Sequence, residues 1–338
     1  MIATAIHSLV NKEDLPYDTA KSVMDEIMEG TATNTQISAY LTALRMKGES
    51  IDEITASAAA MRDHCTKLNR ETDVLDIVGT GGDEAYTFNI STISAIVVSA
   101  ARVPVAKHGN RSVSSKCGSA DLLEALGVRL DLTAEQSAQI LKEIGICFMF
   151  APVYHASMKY AAPVRRELGV RTIFNILGPL ANPAGANLHL LGVYDEALVE
   201  PLAKVLANLG VKRAMVVHGQ DGLDEISLCG ATSVCEVNGG KLNRFVLDPV
   251  QLGFQYCKPE DLVGGDPQEN AKIARDILSG KTGPKRDVVL LNSAVCLYMG
   301  KDGLPLQDCV KLAAEAIDSG KAMEQLDQFV RLSQEAAQ

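Results

Sequence analysis

The chain contains no tryptophan, and aromatic residues make up only 4% of its 338 residues. Any core it builds must be aliphatic, and a hydrophobic share of 47% is enough for a large one. No apolar run approaches the roughly 18 residues that a membrane-spanning helix needs. Residues Met1 to Val10 lack a basic segment and soon meet Glu13 and Asp14, unlike a secretory signal. An excess of positive charge is missing as well. A formal net charge of -10 argues against a general affinity for nucleic acid or anionic membrane. None of the eight cysteines forms a CxxC pair, and no Cys/His spacing resembles a zinc site. Scattered free thiols suit a reducing cytoplasm. Internal repeats and low-complexity segments are absent. The length suggests one large domain or two linked ones.

The most informative stretch runs from Asp76 to Asp83, Asp-Ile-Val-Gly-Thr-Gly-Gly-Asp. Val74, Leu75, Ile77 and Val78 read as a short buried parallel strand interrupted by Asp76. Three glycines follow within four residues, where backbone N–H groups can close on an oxyanion. Thr87, Asn89, Ser91 and Thr92 then precede the apolar run Ile93 to Val98. Strand, glycine loop and a hydroxyl-rich helix N-terminus suit a phosphate, because dipole and free N–H groups both favour negative charge; the alternative is a tight turn without a ligand. The dinucleotide fingerprint is not met, since Glu84 stands in the third glycine slot. A Walker loop is excluded because no Gly-Lys-Ser/Thr closes the motif.

Residues 1 to about 70 read as helices only. Ile2, Ile6, Leu9 and Val10 form one stripe, Val23, Ile27 and Met28 a second, and Ile37, Tyr40, Leu41 and Leu44 a third. Ser50 to Glu53 is a capping box that opens a fourth helix through Ile54, Ala58 and Met61. Such a small helical unit is expected to complete itself against another surface and to form a subunit interface. From Val74 onward strands and helices alternate, with strands at Val103 to Ala106, Ile146 to Phe150, Leu188 to Val193 and Ala214 to Val217. Val234 to Val237 and Phe245 to Leu247 suggest a β excursion, and the last third is helical.

Three further loops carry chemistry. Lys107-His108-Gly109-Asn110-Arg111-Ser112-Val113-Ser114-Ser115-Lys116 is basic inside an acidic protein, and its three cations and serines suit phosphate oxygens. Ser119 is expected to cap the helix that follows. Pro163 to Gly169 contains Arg165 and Arg166, and Gly178 to Pro183 is a turn-rich connection suited to a hinge. Asp224 and Glu225 lie in a glycine loop, where hard carboxylate oxygens suit magnesium when phosphates supply other ligands.

Taken together these loops resemble the anthranilate phosphoribosyltransferase family over nearly the whole chain. The motifs that carry the resemblance are residues 76–83, Asn-Ile-Ser-Thr at 89–92, 107–116, Pro-Val-Arg-Arg-Glu-Leu-Gly-Val-Arg-Thr at 163–172, Asn-Ile-Leu-Gly-Pro-Leu at 175–180 and Gly-Leu-Asp-Glu at 222–225. The resemblance implies an α/β fold with a central mostly parallel sheet, hinged to a small all-helical domain, as in nucleoside phosphorylases and phosphoribosyltransferases of this type. It implies a helical domain over 1–71 with a contribution from 163–185, and a large domain over 72–162 and 186–338. It implies a cytoplasmic homodimer paired through the N-terminal helices. The implied reaction joins phosphoribosyl pyrophosphate and anthranilate, releasing pyrophosphate, in tryptophan biosynthesis.

Residue by residue, the resemblance assigns phosphoribosyl pyrophosphate to Gly79, Gly82, Asp83, Thr87, Asn89, Ser91, Thr92, Lys107 and Ser119. It assigns anthranilate to Gly79, His108, Asn110, Pro152, His155 and Arg165. Ser91, Asp224 and Glu225 would hold magnesium, with two Mg2+ ions per monomer. No residue is assigned as an obligatory general base. Cys117 stands where serine is common, and Ala156-Ser157 follows His155 where many members have Pro-Ala. The rival readings are a pyrimidine nucleoside phosphorylase of the same fold and a nucleic-acid-binding relative without transferase activity.

Overall fold

The structure is a computed structural model, and it describes residues 1–112 and 115–336. Val113 and Ser114, both in the basic loop singled out above, lie outside the described residues, as do the last two.

Four helices open the chain: α1 (Ile2–Val10), α2 (Tyr17–Glu29), α3 (Asn34–Lys47) and α4 (Ile51–Asp63). The starts of α3 and α4 are set by side chains. Thr33 and Gln36 form a reciprocal capping box, and so do Ser50 and Glu53. The expected stripes are buried, with Val23, Ile27, Tyr40, Leu41 and Leu44 at 0% exposure. Val10 is the exception. It is 63% exposed, because the last residue of α1 has turned off the buried face. Glu53 does more than cap. It is fully buried, accepting from Leu15 N (2.9 Å) and pairing with Lys47 (2.9 Å).

The remainder is α/β. In chain order come β1 (Leu75–Gly79), α5 (Ile90–Ala100), β2 (Val105–Gly109), α6 (Ser119–Leu126), α7 (Ala134–Ile144) and β3 (Ile146–Phe150). Then α8 (Ala151–Tyr154), α9 (Ala162–Leu168) and α10 (Phe174–Leu180) lead to β4 (Leu188–Gly192), α11 (Val199–Asn208) and β5 (Arg213–Gly219). A hairpin of β6 (Thr232–Asn238) and β7 (Lys241–Leu247) is followed by α12 (Pro267–Leu278), α13 (Pro284–Gly300), α14 (Leu306–Asp318) and α15 (Lys321–Ala336).

The seven strands lie in the order β3-β2-β1-β4-β5-β6-β7. The first five are parallel, and β6 and β7 run antiparallel at one edge. From β1 the chain builds outward through β2 and β3, then returns to the other side of β1 with β4. The order therefore reverses between β1 and β4. That switch point leaves a crevice beyond their carboxyl ends, where ligands bind in open α/β sheets.

Each sheet face has its own core. Leu75, Ile77 and Val105 face α5, α13 and the C-terminal helices. Val193, Leu191, Val216 and α11 face the other way, in one cluster with the N-terminal helices and with Ala161, Val164, Phe174, Ile176, Leu177 and Leu180. Residues 161–181 thus share packing with the N-terminal helices.

Two expectations need correction. β2 begins at Val105, not Val103, because Arg102 adopts φ 68 in a turn and Pro104 has no N–H to donate. The shift places Lys107 and His108 inside the strand. The stretch Gly178 to Leu180, expected as turn, is the end of α10, which tolerates Pro179 in its last turn, and the turn proper starts at Ala181.

Candidate active site

The glycine loop leaves β1 at the switch point and is tied down on several sides. Thr80 N donates to Gly192 O (2.9 Å), and Gly81 N donates to Asp224 Oδ2 (2.6 Å). The acidic loop lies directly on the ends of β1 and β4. A Cβ at Gly79 would sit 2.3 Å from the Asp224 carboxylate, and one at Gly192 would sit 1.6 Å from Asp224 O. Both positions must be glycine for the acids to reach the crevice. The close approach at Gly79 is thus made by a carboxylate of the protein itself. Gly82 has φ 80, a region that side chains rarely adopt.

Asp224 is buried and Glu225 half-buried, and both lie close to Asp83. Burial, then the charges of Asp83 and Glu225, push the Asp224 carboxyl well above its usual range. Burial, opposed by Lys107 and reinforced by Asp83, raises Glu225 to about 7. Glu225 Oε1 accepts from Ser91 N (3.2 Å) at the start of α5. Two N–H groups expected to be free for phosphate, those of Gly81 and Ser91, therefore hold the protein's own carboxylates. Thr92 is buried beside them with a hydroxyl that finds no partner among the described residues.

Lys107 enters from below. Its Nζ donates to Ile77 O and to Ser91 Oγ (3.3 Å), and only 3% of the residue is exposed. Burial lowers its pKa, while Asp76 and Glu225 oppose the shift. Asp76, fully buried on β1, accepts from His108 N (3.2 Å) and Asn182 Nδ2 (2.7 Å). Burial raises its carboxyl to about 6 against the pull of Lys107 and these hydrogen bonds.

The basic loop serves the site less directly than its composition suggests. Arg111 is not free for phosphate, because it pairs with Asp121 (2.9 Å) and, through both terminal nitrogens, with Glu124 (2.7 and 3.0 Å). Asn89 is engaged at both ends of its amide, donating to Cys117 O (2.9 Å) and accepting from Asn270 Nδ2 (3.0 Å). Ser119 does not cap α6. Gly118 holds that position, its N–H bound by Asp121 (2.8 Å), and Ser119 Oγ donates to Asn110 O (3.2 Å). Asn110 is exposed, its side-chain oxygen accepting from Arg111 N (2.8 Å). Thr87 pairs with Val263 and lines a cavity of about 330 Å3 with Tyr86, Lys116, Cys117, Gly264 and Asn270.

The remaining candidates gather on the other side of β2. His108 Nδ1 donates to Gly178 O (3.2 Å), and its ring lies 5.0 Å from that of His155. The Nε2 atom of each ring is buried without a partner among the described residues. Burial drives His108 to about 3, with His155 adding repulsion, and drives His155 to about 4. Both imidazoles are neutral at pH 7. Arg165, on α9, lies 5.2 Å over the Phe174 ring. It is half-buried and has no acidic partner among the described residues; burial alone lowers its pKa. Pro152 is exposed in the first turn of α8. No hydrogen bond joins Asn110 to Arg165 among the described residues.

Comparison with known proteins gives this geometry its context. Residues 3–65 match the helical bundle domain of a glycosyl transferase family, and residues 71–323 match its α/β domain. The anthranilate phosphoribosyltransferase of Ruminiclostridium cellulolyticum is 68% identical over 333 residues, covering 98% of each chain. The chain belongs to the anthranilate phosphoribosyltransferase family. The crystal structure of the anthranilate phosphoribosyltransferase of Thermus thermophilus superposes with a TM-score of 0.93 at 42% identity, over 98% of this chain and 99% of that one. The enzyme of Saccharomyces cerevisiae in complex with PRPP and Mg gives a TM-score of 0.91 at 29% identity, over 99% and 98%.

Several residues that hold this candidate site together escape sequence reading. Asp76 looks like an interruption in an apolar strand. A charged residue in a run otherwise fit for burial is itself the available signal, since buried carboxylates are paired or hydrogen-bonded. Asn182, Asn270 and Arg171 give no local signal. Their partners lie 106, 181 and 89 residues away.

Proposed function

We propose that the chain performs its family's reaction: the phosphoribosyl group of phosphoribosyl pyrophosphate is transferred to the amine of anthranilate, and pyrophosphate leaves. One observation carries the reading. Three carboxylates, Asp83, Asp224 and Glu225, crowd the end of the glycine loop, while a buried lysine reaches the same place from beneath. That arrangement is costly alone and is offset when a cation and a diphosphate enter together.

The donor set fits magnesium. Asp224, Glu225 and the Ser91 hydroxyl are hard oxygen ligands, and we assign them two ions per monomer. No cluster of three or more His, Cys, Asp or Glu suited to a metal occurs among the described residues. Magnesium ordinarily keeps waters and takes phosphate oxygens as further ligands. When bound, magnesium supplies charge neutralisation of the departing diphosphate.

The chain's own residues do the rest. In the reaction the bond from the anomeric carbon to pyrophosphate breaks, a bond to the anthranilate nitrogen forms, and the amine loses a proton. Lys107 and the N–H groups of Gly82 and Asp83 stabilise negative charge on the leaving group as preorganised donors. Gly79, Thr87, Asn89, Thr92 and Ser119 complete the phosphoribosyl pyrophosphate side, Asn89 by bracing the loop. Arg165 takes the anthranilate carboxylate with Asn110, and neutral His108 and His155 line that pocket with Pro152. Arylamines are neutral at pH 7, so no strong base is required. We divide the molecule at 1–71 with 163–185 against 72–162 with 186–338; the larger lobe supplies most of both substrate pockets, the smaller one supplies Arg165, and holding two substrates across the hinge gains by proximity.

The reading brings with it a cytoplasmic homodimer joined through the N-terminal helices. Exposed Val10 and Met46, at 63% and 82%, support that pairing. No helix among the described residues is long and apolar enough to cross a membrane. The nucleoside phosphorylase and nucleic-acid readings are not favoured by the relatives. The deciding experiment follows loss of anthranilate fluorescence with phosphoribosyl pyrophosphate and magnesium. Absence of turnover, or phosphate-dependent cleavage of thymidine or uridine instead, overturns the proposal.

A further inference from the structure

We infer that Arg171 is a positioning residue for the diphosphate: it fixes the Gly82–Asp83 peptide so that the loop's N–H groups face the crevice. The inference rests on the glycine loop being the diphosphate cradle. Arg171 lies between α9 and α10, in the segment that packs with the N-terminal helices, whereas Gly82 belongs to the loop after β1. Arg171 Nη2 donates to Gly82 O (2.7 Å) across that divide. The guanidinium is itself held, lying 4.2 Å over the ring of Tyr194. Tyr194 in turn donates through its N–H to Thr80 Oγ1 (3.2 Å), closing a ring of contacts around the loop.

The geometry gives the contact its consequence. A trans peptide points its C=O and N–H in opposite directions. With the Gly82 carbonyl drawn to Arg171, the Asp83 N–H is turned away from it. Neither the Gly82 nor the Asp83 N–H has an acceptor among the described residues, whereas those of Thr80 and Gly81 are taken. Gly82, Glu84 and Tyr86 have φ of 80, 58 and 53. A segment with this many positive-φ residues has other conformations open to it and needs an external contact to hold one. No acid pairs with Arg171 among the described residues, so its hydrogen-bonding capacity goes to the loop.

The test separates position from charge. Arg171→Gln removes the charge but retains a donor for the Gly82 carbonyl. Arg171→Lys retains the charge but loses the planar fork and its stacking on Tyr194. Calorimetric titration with phosphoribosyl pyrophosphate and magnesium should show about tenfold weaker binding for Arg171→Ala, the scale of one charge-assisted hydrogen bond. Anthranilate KM and melting temperature should hold. Arg171→Gln should recover part of the loss, and Tyr194→Leu should weaken binding non-additively with Arg171→Ala. If Arg171→Lys restores binding and Arg171→Gln matches Arg171→Ala, the residue is a charge contact and the inference falls. It also falls if Arg171→Ala binds normally while Ser91→Ala and Gly82→Ala bind weakly. If all three bind normally, the cradle reading fails with it.

Discussion

Removing the Arg165 guanidinium should cost anthranilate binding and almost nothing in stability. Most buried arginines are paired, and cutting such a pair strands the partner's charge. Arg165 has no acid to strand among the described residues. Its neighbour is the Phe174 ring at 5.2 Å, a contact worth about 0.5–1 kcal/mol at a partly exposed site. Truncation also relieves the desolvation that lowers its pKa, which acts in the opposite direction. Binding has no such compensation. A two-pronged bond to a carboxylate contributes on the order of 1.5–3 kcal/mol, and each 1.4 kcal/mol is a factor of ten. Arg165→Ala should therefore raise anthranilate KM by roughly ten- to a hundredfold, with phosphoribosyl pyrophosphate KM little changed. Arg165→Lys keeps charge but loses the fork, and should recover part. The neighbouring Arg166 is exposed, and Arg166→Ala should leave anthranilate KM alone. The assay is steady-state kinetics varying each substrate in turn, with a thermal melt on each variant. An unchanged anthranilate KM in Arg165→Ala, or a rise confined to phosphoribosyl pyrophosphate, refutes the placement of the carboxylate.

Three further outcomes are expected. Asp224→Asn with Glu225→Gln removes crowded buried charge, so the metal-free protein should melt higher while turnover collapses and the magnesium requirement rises; an unchanged magnesium titration refutes the ligand assignment. Gly82→Ala meets only the end of the Arg171 side chain, at 3.3 Å, but must adopt φ 80, so phosphoribosyl pyrophosphate affinity should fall further than stability, whereas Gly192→Ala drives into backbone and should destabilise the fold itself; comparable melting temperatures for the two would contradict this. Acid should weaken the fold through histidines that burial keeps neutral, His108 at about 3, His155 at about 4 and His189 at about 3. Unfolded imidazoles take up protons below about pH 6.5, so this stability is complete above that value and is lost as pH falls toward 4, by about 1.4 kcal/mol per imidazole per unit. The raised carboxyls of Asp224, Glu225 and Asp76 gain stability over the same range and oppose this loss, so the check is the difference between wild type and His189→Gln in urea melts at pH 7.5 and 5.5; the wild type should lose ground to the variant toward acid, and an unchanged difference refutes it.

What can be read from the sequence is what local chemistry dictates. The Ser50 and Thr133 capping boxes need only residues three apart, and both form. The β3 run Ile146 to Phe150 is apolar throughout and is a strand over those bounds. β7 reads in the sequence as Phe245–Leu247 alone, because Lys241 to Arg244 face solvent at the sheet edge and leave no apolar alternation to read. The charges in the site are legible as residue types but not as partners. Arg111 looks like a phosphate ligand because Asp121 and Glu124, which occupy it, lie on the next helix. The acids at 224 and 225 are legible, yet their seat on Gly81 and Ser91 is not. That seat depends on two glycines, at 79 and 192, that the fold brings side by side.

The register of β2 sends Lys107 and His108, which the proposed function gives to different substrates, to opposite faces of the sheet. Successive side chains on a strand point to opposite faces. Lys107 therefore goes with Val105 and Ile77 to the face covered by α5, where Ser91 and Glu225 lie. His108 goes to the face of Ala106, where Gly178 of α10 and His155 receive it. A slip of one residue would exchange the cation and the imidazole and leave both sites wrong. The strand is therefore pinned at the residues that matter. Asp76, on neighbouring β1, binds the N–H of His108, and Asn182 ties that carboxylate to Ala106 O (2.9 Å). Apolar residues would serve the core better at position 76, since an ionised carboxylate there bears a desolvation cost. A carboxylate is retained because it does two things that a valine cannot. It holds the register of β2 through a backbone N–H, and it offsets the burial of Lys107 through the sheet. Asn182 lies in the turn just beyond α10, so the segment that packs with the N-terminal helices ends on the same carboxylate that opposes the burial of Lys107.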